Sequence, residues 1–286
     1  MIADKILELL DLNKDMEGLN LDKLLDEMGE EFKYGVTRQV FTKKVTRPTL
    51  RLSSLGKCIR QQAYTVLDYP VPKLNPRAKM TFLFGDMIEA LVTCLAKSAG
   101  VNLHSEQKEV KFAGVTGHID GIINDDTLFE CKSMSQFGYE KFLRVGISDD
   151  SGYISQCQSY MQALGLKQAC LVAVNKNTGH IAEQIIYPDQ TYLNMLENNV
   201  NIIKDLQNNR ISLEDIGRID PIDETFYRKK TGNKKLSWIC SYCNYLEYCW
   251  GDNIVIAFKN NKPIYYIKET LDRSKAPKGT KFTDNN

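Results

Sequence analysis

The chain has 286 residues, 43% hydrophobic and 26% charged, with a formal net charge of +1. That length leaves room for one large domain or two small ones, and that balance excludes a chain too polar to form a core. The longest apolar runs, such as Cys170-Leu171-Val172-Ala173-Val174, are too short to span a bilayer, so no membrane partner is expected. The start, Met1-Ile2-Ala3-Asp4-Lys5, shows no basic stretch followed by an apolar one, so a cytoplasmic location is expected.

In chain order, residues 1–31 read as helical, with apolar positions at Ile2, Ile6, Leu9 and Leu10 and again at Leu21, Leu24, Leu25 and Met28. Lys33 to Arg60 holds eight basic residues and no acidic one, which reads as a solvated loop or a phosphate-contacting strip. Ser53-Ser54 predicts a capped helix to about Leu67, and Pro70, Pro72 and Pro76 mark a loop. Residues 78–99 predict a helix. Residues 103–132 hold three strand-like runs, broken by Ala113-Gly114 and by Asn124-Asp125-Asp126. Helices are expected near 135–145 and 151–165, strands over Ala169–Asn175 and Ile181–Tyr187, and a helix over 189–207. This order predicts an α/β protein with a mixed sheet flanked by helices.

The second strand run ends Gly117-His118-Ile119-Asp120-Gly121, and the third reads Thr127-Leu128-Phe129-Glu130-Cys131-Lys132. A hairpin would set Asp120 beside Glu130. Side chains alternate along a strand, so Glu130 and Lys132 share a face while Cys131 points into the core and leaves its carbonyl at the site. Hard oxygen donors beside a lysine are what metal-assisted phosphodiester hydrolysis needs. Two helices add candidates. Gly85-x-x-x-Glu89 precedes the strands, with Gly85 expected to allow close packing. Gln156-x-x-x-Tyr160 follows them, its two side chains one turn apart. His118 is expected to border this site or to be structural, and His104 and His180 to lie at the surface or a strand edge.

Taken together, Gly85-x-x-x-Glu89, Gly117-x-x-Asp120, Glu130-x-Lys132 and Gln156-x-x-x-Tyr160 resemble the PD-(D/E)XK nuclease superfamily in its RecB-like branch, in order and in spacing. The resemblance implies a restriction-endonuclease-like mixed sheet. It implies a divalent metal, Mg²⁺ or Mn²⁺, held by Glu89, Asp120, Glu130 and the backbone of Cys131. It also implies a catalytic Lys132, with Gln156 and Tyr160 shaping the site. Many RecB-like members carry His where this chain has Glu89, which bears on metal preference.

The segment from Trp238 to Cys249 contains Cys240, Cys243 and Cys249 as Cys-x₂-Cys-x₅-Cys. Clustered cysteines in a reducing compartment point to metal. Three thiolates need a fourth ligand, and Cys58 is the candidate; by chemistry alone zinc and iron–sulfur fit alike. One cysteine before the core and three after it is similar to the iron–sulfur subset of RecB-like nucleases, which includes CRISPR-adaptation nucleases and AddB-type subunits. That resemblance implies a 4Fe–4S cluster stapling the C-terminal box to an N-terminal helix. Cys94, Cys157 and Cys170 lie on apolar runs and read as core.

The expected organisation is an N-terminal helical and basic extension over 1–50, a nuclease core with its staple over 51–251, and a basic tail over 252–286. Arg228-Lys229-Lys230 and Lys234-Lys235 read as a DNA path or a solvated loop. No Walker motif is present, so no helicase is expected. The expected activity is metal-dependent exonucleolytic hydrolysis of DNA at ends or in single strands. Expected settings are recombination, phage DNA processing or CRISPR adaptation, with partner proteins from those pathways and an oligomer left open. The alternative is a non-catalytic DNA-binding or scaffold module of a repair complex, stabilised by zinc or iron–sulfur.

Overall fold

The computed structural model describes residues 1–11, 21–41, 48–73 and 75–283. It divides into two compact units: Met1–Gly56 with Lys73–Asn201, and Lys57–Pro72 with Ile202–Asn286. Among the described residues no helix is long and apolar enough to cross a membrane.

The first unit begins with α1 (Ile2–Leu10) and α2 (Leu21–Val36), the latter running into a short π-helical turn, Thr37–Phe41. Three members of the basic run, Lys43, Lys44 and Arg47, lie outside the described residues. The rest form no uniform strip, since Lys33 pairs with Glu30, Arg38 pairs with Asp86, and Arg60 is buried.

The second unit contributes α3 (Ile59–Val66), capped by Cys58 rather than by Ser53-Ser54, which sit in a separate 3₁₀ turn. The first unit resumes at α4 (Pro76–Ser98). Pro76 opens that helix at N1, and the Asn75 side chain accepts from the Arg77 N–H at 2.7 Å, so a proline taken as loop is the helix start.

Next come β1 (Leu103–His104), β2 (Glu109–Phe112), β3 (Val115–His118), β4 (Gly121–Ile123) and β5 (Thr127–Met134). Then follow α5 (Gln136–Val145), α6 (Tyr153–Leu164), β6 (Gln168–Asn175), β7 (Ile181–Ile186) and α7 (Gln190–Gln207), whose last residues belong to the second unit. The main sheet has the order β1-β4-β5-β6-β7; β5 and β6 are parallel and the other pairs antiparallel, so the sheet is mixed. The parallel pair is joined through α5 and α6, as a parallel connection requires.

Alternation along β5 and β6 divides the core. Leu128, Leu171 and Ala173 pack on one face with Tyr160 and Met161 of α6. Phe129, Cys131, Cys170 and Val172 pack on the other with Ile6 of α1 and Val92 and Ala96 of α4. The expected second strand is two strands. β3 pairs with β2 through a turn at Ala113-Gly114, both at positive φ, whereas β4 joins β5 in the main sheet. Asp120 lies at the break between them.

The second unit also contains β8 (Ile222–Phe226), β9 (Lys229–Lys235), α8 (Trp238–Ser241), α9 (Leu246–Trp250), β10 (Ile254–Lys259), β11 (Lys262–Ile267) and β12 (Lys281–Phe282). Its antiparallel sheet runs β12-β10-β11-β9-β8. The stretch expected as a basic tail instead supplies three strands of this sheet: Asn260 and Asn261, both at positive φ, turn β10 back into β11. The lysine-rich stretch expected as a loop or DNA path is the β8–β9 hairpin. It is fixed by buried Glu224, which accepts from Tyr266 Oη, from Thr231 Oγ1 at 3.0 Å and from Asn233 Nδ2 at 3.3 Å.

Candidate active site

The first unit gathers most of the sequence-predicted site residues around the middle of β5. Glu130 is fully buried, with Oε1 accepting from Lys132 Nζ and from Gln156 Nε2, the latter at 2.8 Å. Its other oxygen, Oε2, is buried without a hydrogen-bond partner. Glu130 and Lys132 share a face, as alternation requires, and Cys131 lies in the opposite core. Asp120 meets β5 from the strand break: its Oδ2 accepts from the Cys131 N–H at 2.9 Å.

Glu89 comes from α4 and accepts from Gln107 Nε2 at 3.0 Å. A cavity lined by Arg38, Asp86, Glu89, Gln107 and Asp120 joins its carboxylate to that of Asp120. Gly85 meets only Ser133 Oγ at 3.7 Å where a Cβ would stand, an ordinary contact, so the close packing expected of it is not required. Gly117 does have that role. A Cβ there would lie 2.9 Å from Tyr160 Cε1 and 2.8 Å from Leu52 Cβ. The missing side chain lets Tyr160, 1% exposed, pack under the strand break. His118 points away from these groups and is exposed beside Glu109. His104 lies near Asp125, and His180 bonds Thr178 at the surface.

The electrostatics follow from this crowding. Burial pushes the Glu89 carboxyl up to about 9, and the neighbouring Asp120 charge adds to it. Burial lifts Glu130 to about 7, again helped by Asp120 and opposed by Lys132. Burial also raises Asp120, while Lys132 and the Cys131 N–H pull it down. Burial works against a charged Lys132, but Glu130 and Asp120 outweigh it and hold the ammonium well above the ordinary lysine range. Three carboxylates thus repel one another around one lysine.

One ammonium does not balance three carboxylates, and the unpartnered Glu130 Oε2 is a hard oxygen donor; both features fit a divalent cation. Among the described residues no three His, Cys, Asp or Glu side chains are arranged to hold a single metal ion. The carboxylates therefore stand as a donor set rather than a closed shell.

Sequence reasoning missed two neighbours. Lys132 Nζ stands 5.5 Å from the Tyr153 ring centroid, a cation–π contact. Tyr153 is three residues before Gln156, so helical spacing carried that signal. Arg38 binds Asp86 at 2.6 Å in the cavity beside Glu89; the sequence marks it only as one member of the basic run, with no signal that it pairs there.

In the second unit, Cys58, Cys240, Cys243 and Cys249 line one cavity with Arg60, Tyr64 and Trp250. Aromatic packing brings the early cysteine to the late three. Tyr64 on α3 stacks on Tyr245 at 5.3 Å, and its hydroxyl donates to the Tyr248 carbonyl at 3.1 Å. Four thiols around one cavity are the donor chemistry of a thiolate-ligated group, although, as with the carboxylates, no three of them are arranged around a single metal ion. Cys94, Cys157 and Cys170 are buried, as read from the sequence.

No family model matches the chain, and no curated protein matches it. Among solved structures it is similar to an alkaline exonuclease from Laribacter hongkongensis, at 15% identity and a TM-score of 0.45, over 65% of this chain and 95% of that one. It is similar to the same exonuclease in complex with dAMP, at 16% identity and a TM-score of 0.41, over 57% and 93%. It is similar to a phage-related exonuclease from Haemophilus somnus 129PT, at 16% identity and a TM-score of 0.41, over 57% and 96%.

Proposed function

We propose that this chain is a metal-dependent DNA nuclease of the PD-(D/E)XK type, acting as an exonuclease on DNA ends or single strands. The observation that carries this reading is Glu130: fully buried, bonded to Lys132 and Gln156, and left with one unpartnered oxygen in a cluster of carboxylates. A purely structural Glu–Lys pair would not draw in Asp120 and Glu89 at the cost of mutual repulsion.

In this reading Glu89, Asp120, Glu130 and the Cys131 carbonyl hold Mg²⁺ or Mn²⁺. A bound divalent cation supplies Lewis-acid polarisation of the phosphoryl oxygen and a water of lowered pKa. Lys132, kept protonated by its carboxylate neighbours, offers positive charge where the phosphate becomes more negative. Gln156 fixes the Glu130 carboxylate in one orientation. Tyr160 supports that geometry from below, and Tyr153 flanks the ammonium.

Cys58, Cys240, Cys243 and Cys249 hold a 4Fe–4S cluster in this reading, with zinc as the other outcome of metal analysis. The DNA-processing pathway served is recombination, phage DNA processing or CRISPR adaptation.

The test is cleavage of end-labelled linear single- and double-stranded DNA, and of closed circles, with Mg²⁺ or Mn²⁺. Protein purified without oxygen is compared with Lys132→Ala. Degradation of linear DNA that Lys132→Ala abolishes, with circles spared, is the expected result. Wild type and variant that both bind DNA and are equally inert would replace this reading with a non-catalytic binding module.

A further inference from the structure

Among the described residues, one charged side chain in the cysteine cavity has no carboxylate counter-ion. Arg60 is 8% exposed and lines that cavity with the four cysteines. Its Nη1 donates to the carbonyl oxygens of Leu213 and Ile216, and its guanidinium stands 5.7 Å from the Tyr64 ring centroid. Its Nε is buried with no hydrogen-bond partner. Among the described residues no carboxylate pairs with it, and four cysteine side chains share its cavity. A second guanidinium, Arg218, stands 5.0 Å from the ring centroid of Trp250, which lines the same cavity.

A buried cation without an anion is costly. The helix adds to that cost, because Arg60 is the second residue of α3, at the positive end of the helix dipole. Four neutral thiols would relieve neither penalty. Four thiolates on a divalent zinc ion carry a net charge of minus two, and so do four thiolates on a 4Fe–4S core in its oxidised resting state. Either would meet the charge of Arg60 and accept its free N–H.

We propose that Arg60 is the counter-ion of an anionic thiolate-bound group held by Cys58, Cys240, Cys243 and Cys249, with its buried Nε–H reserved for a sulfur of that group. The proposal rests on the reading of these four cysteines as a ligand set. Arg60 is not itself a ligand. It is a positioning residue that sets the charge balance of the group and holds its Cys249 side in place.

The experiment uses the full chain purified without oxygen, as wild type, Arg60→Gln, Arg60→Lys and Cys58→Ser. Iron, sulfide and zinc contents are measured, then the rate of metal release to a chelator, and the reduction potential where iron is present. Arg60→Gln is expected to fold and to release the metal roughly ten- to a hundredfold faster, in line with the loss of an outer-shell partner. Its potential should move to more negative values, because removing a nearby cation disfavours the added electron. Arg60→Lys should restore most of the potential but only part of the retention, since an ammonium keeps the charge and lacks the planar fork.

A merely structural role would lower the thermal midpoint and leave potential and release rate unmoved, and that result overturns the proposal. Should Arg60→Gln fail to fold, Arg60→Lys with wild-type release overturns it equally. If wild type is loaded, Cys58→Ser is empty and Arg60→Gln behaves as wild type, only the role of Arg60 fails. If wild type neither contains nor takes up iron or zinc, the ligand-set reading fails and the proposal falls with it.

Discussion

Asp120 Oδ2 accepts from the backbone N–H of Cys131 at 2.9 Å, across the turn that separates β4 from β5. That one bond fastens a carboxylate at a strand break to the central strand of the sheet. It uses the acceptor capacity of the side chain, whereas metal binding needs its charge. Asp120→Asn keeps an acceptor for the Cys131 N–H and removes the charge. We expect Asp120→Asn to fold with a near-native thermal midpoint and to lose cleavage by about a hundredfold or more. Cleavage at the wild-type rate would remove Asp120 from the proposed donor set.

Glu130 and Lys132 are charge-coupled inside the protein. Lys132→Met leaves Glu130 fully buried with Gln156 as its remaining donor. It should destabilise the fold by about 3–5 kcal/mol, the usual effect of removing one partner from a buried pair. Glu130→Gln combined with Lys132→Met should recover much of that loss while staying inactive. Urea unfolding of the two single variants and the double variant measures this, and additive losses would deny the coupling.

Gly117 is held by sterics. Gly117→Ala drives a methyl to 2.8 Å from Leu52 Cβ and 2.9 Å from the Tyr160 ring. Two buried neighbours must move, so a loss of about 1–3 kcal/mol is expected. The Gly85→Ala variant, where the nearest atom is 3.7 Å away, should be nearly neutral. Thermal midpoints of the two variants, measured side by side, check the contrast.

Burial pushes the Cys170 thiol from 9.0 up to about 12, with the Glu183 charge adding to it. Between those values the folded chain keeps a proton that the unfolded chain has lost. This contribution is complete at neutral pH and falls as pH rises above the unfolded value, by at most about 4 kcal/mol at the folded one. Cys170 should resist alkylation at mildly alkaline pH until the chain is unfolded, as mass spectrometry of the modified peptides would show. Cys170→Ala should flatten the alkaline loss of stability; an unchanged pH profile would assign that loss to other groups.

Much of the first unit was legible because its signals are local. Alternation placed Glu130 and Lys132 together with Cys131 on the opposite face, and the turn at Asn124-Asp125-Asp126 set up the β4–β5 hairpin. The break at Asp120 was not legible. Residues 115–123 alternate well enough to read as one strand, and only pairing with β2 on one side and β5 on the other divides them. Arg38 was hidden for a related reason, since its ion pair with Asp86 spans a sequence distance that no motif covers.

The second unit was the least legible. The segment 229–235 is so polar that it reads as solvated, yet Asn233 in its middle is fully buried and bonded to Glu224. That burial depends on the partner strand, not on its own composition. The β10–β11 hairpin did carry a signal. Asn260-Asn261 between two β-branched and aromatic runs is turn chemistry that a reading focused on net basic charge passes over.

The second unit is assembled from Lys57–Pro72 and from residues beyond 202, with most of the first unit lying between them in the chain. During vectorial synthesis the early segment leaves the ribosome long before its partners exist. Cys58 and Tyr64, which pack with Tyr245 and Cys249 in the finished chain, must wait exposed while more than a hundred residues are made. Closure of the cysteine cavity is therefore a late event in the life of the nascent chain. A translation product that stops short of Cys240 would present Cys58, at the start of α3, without the three cysteines that share its cavity.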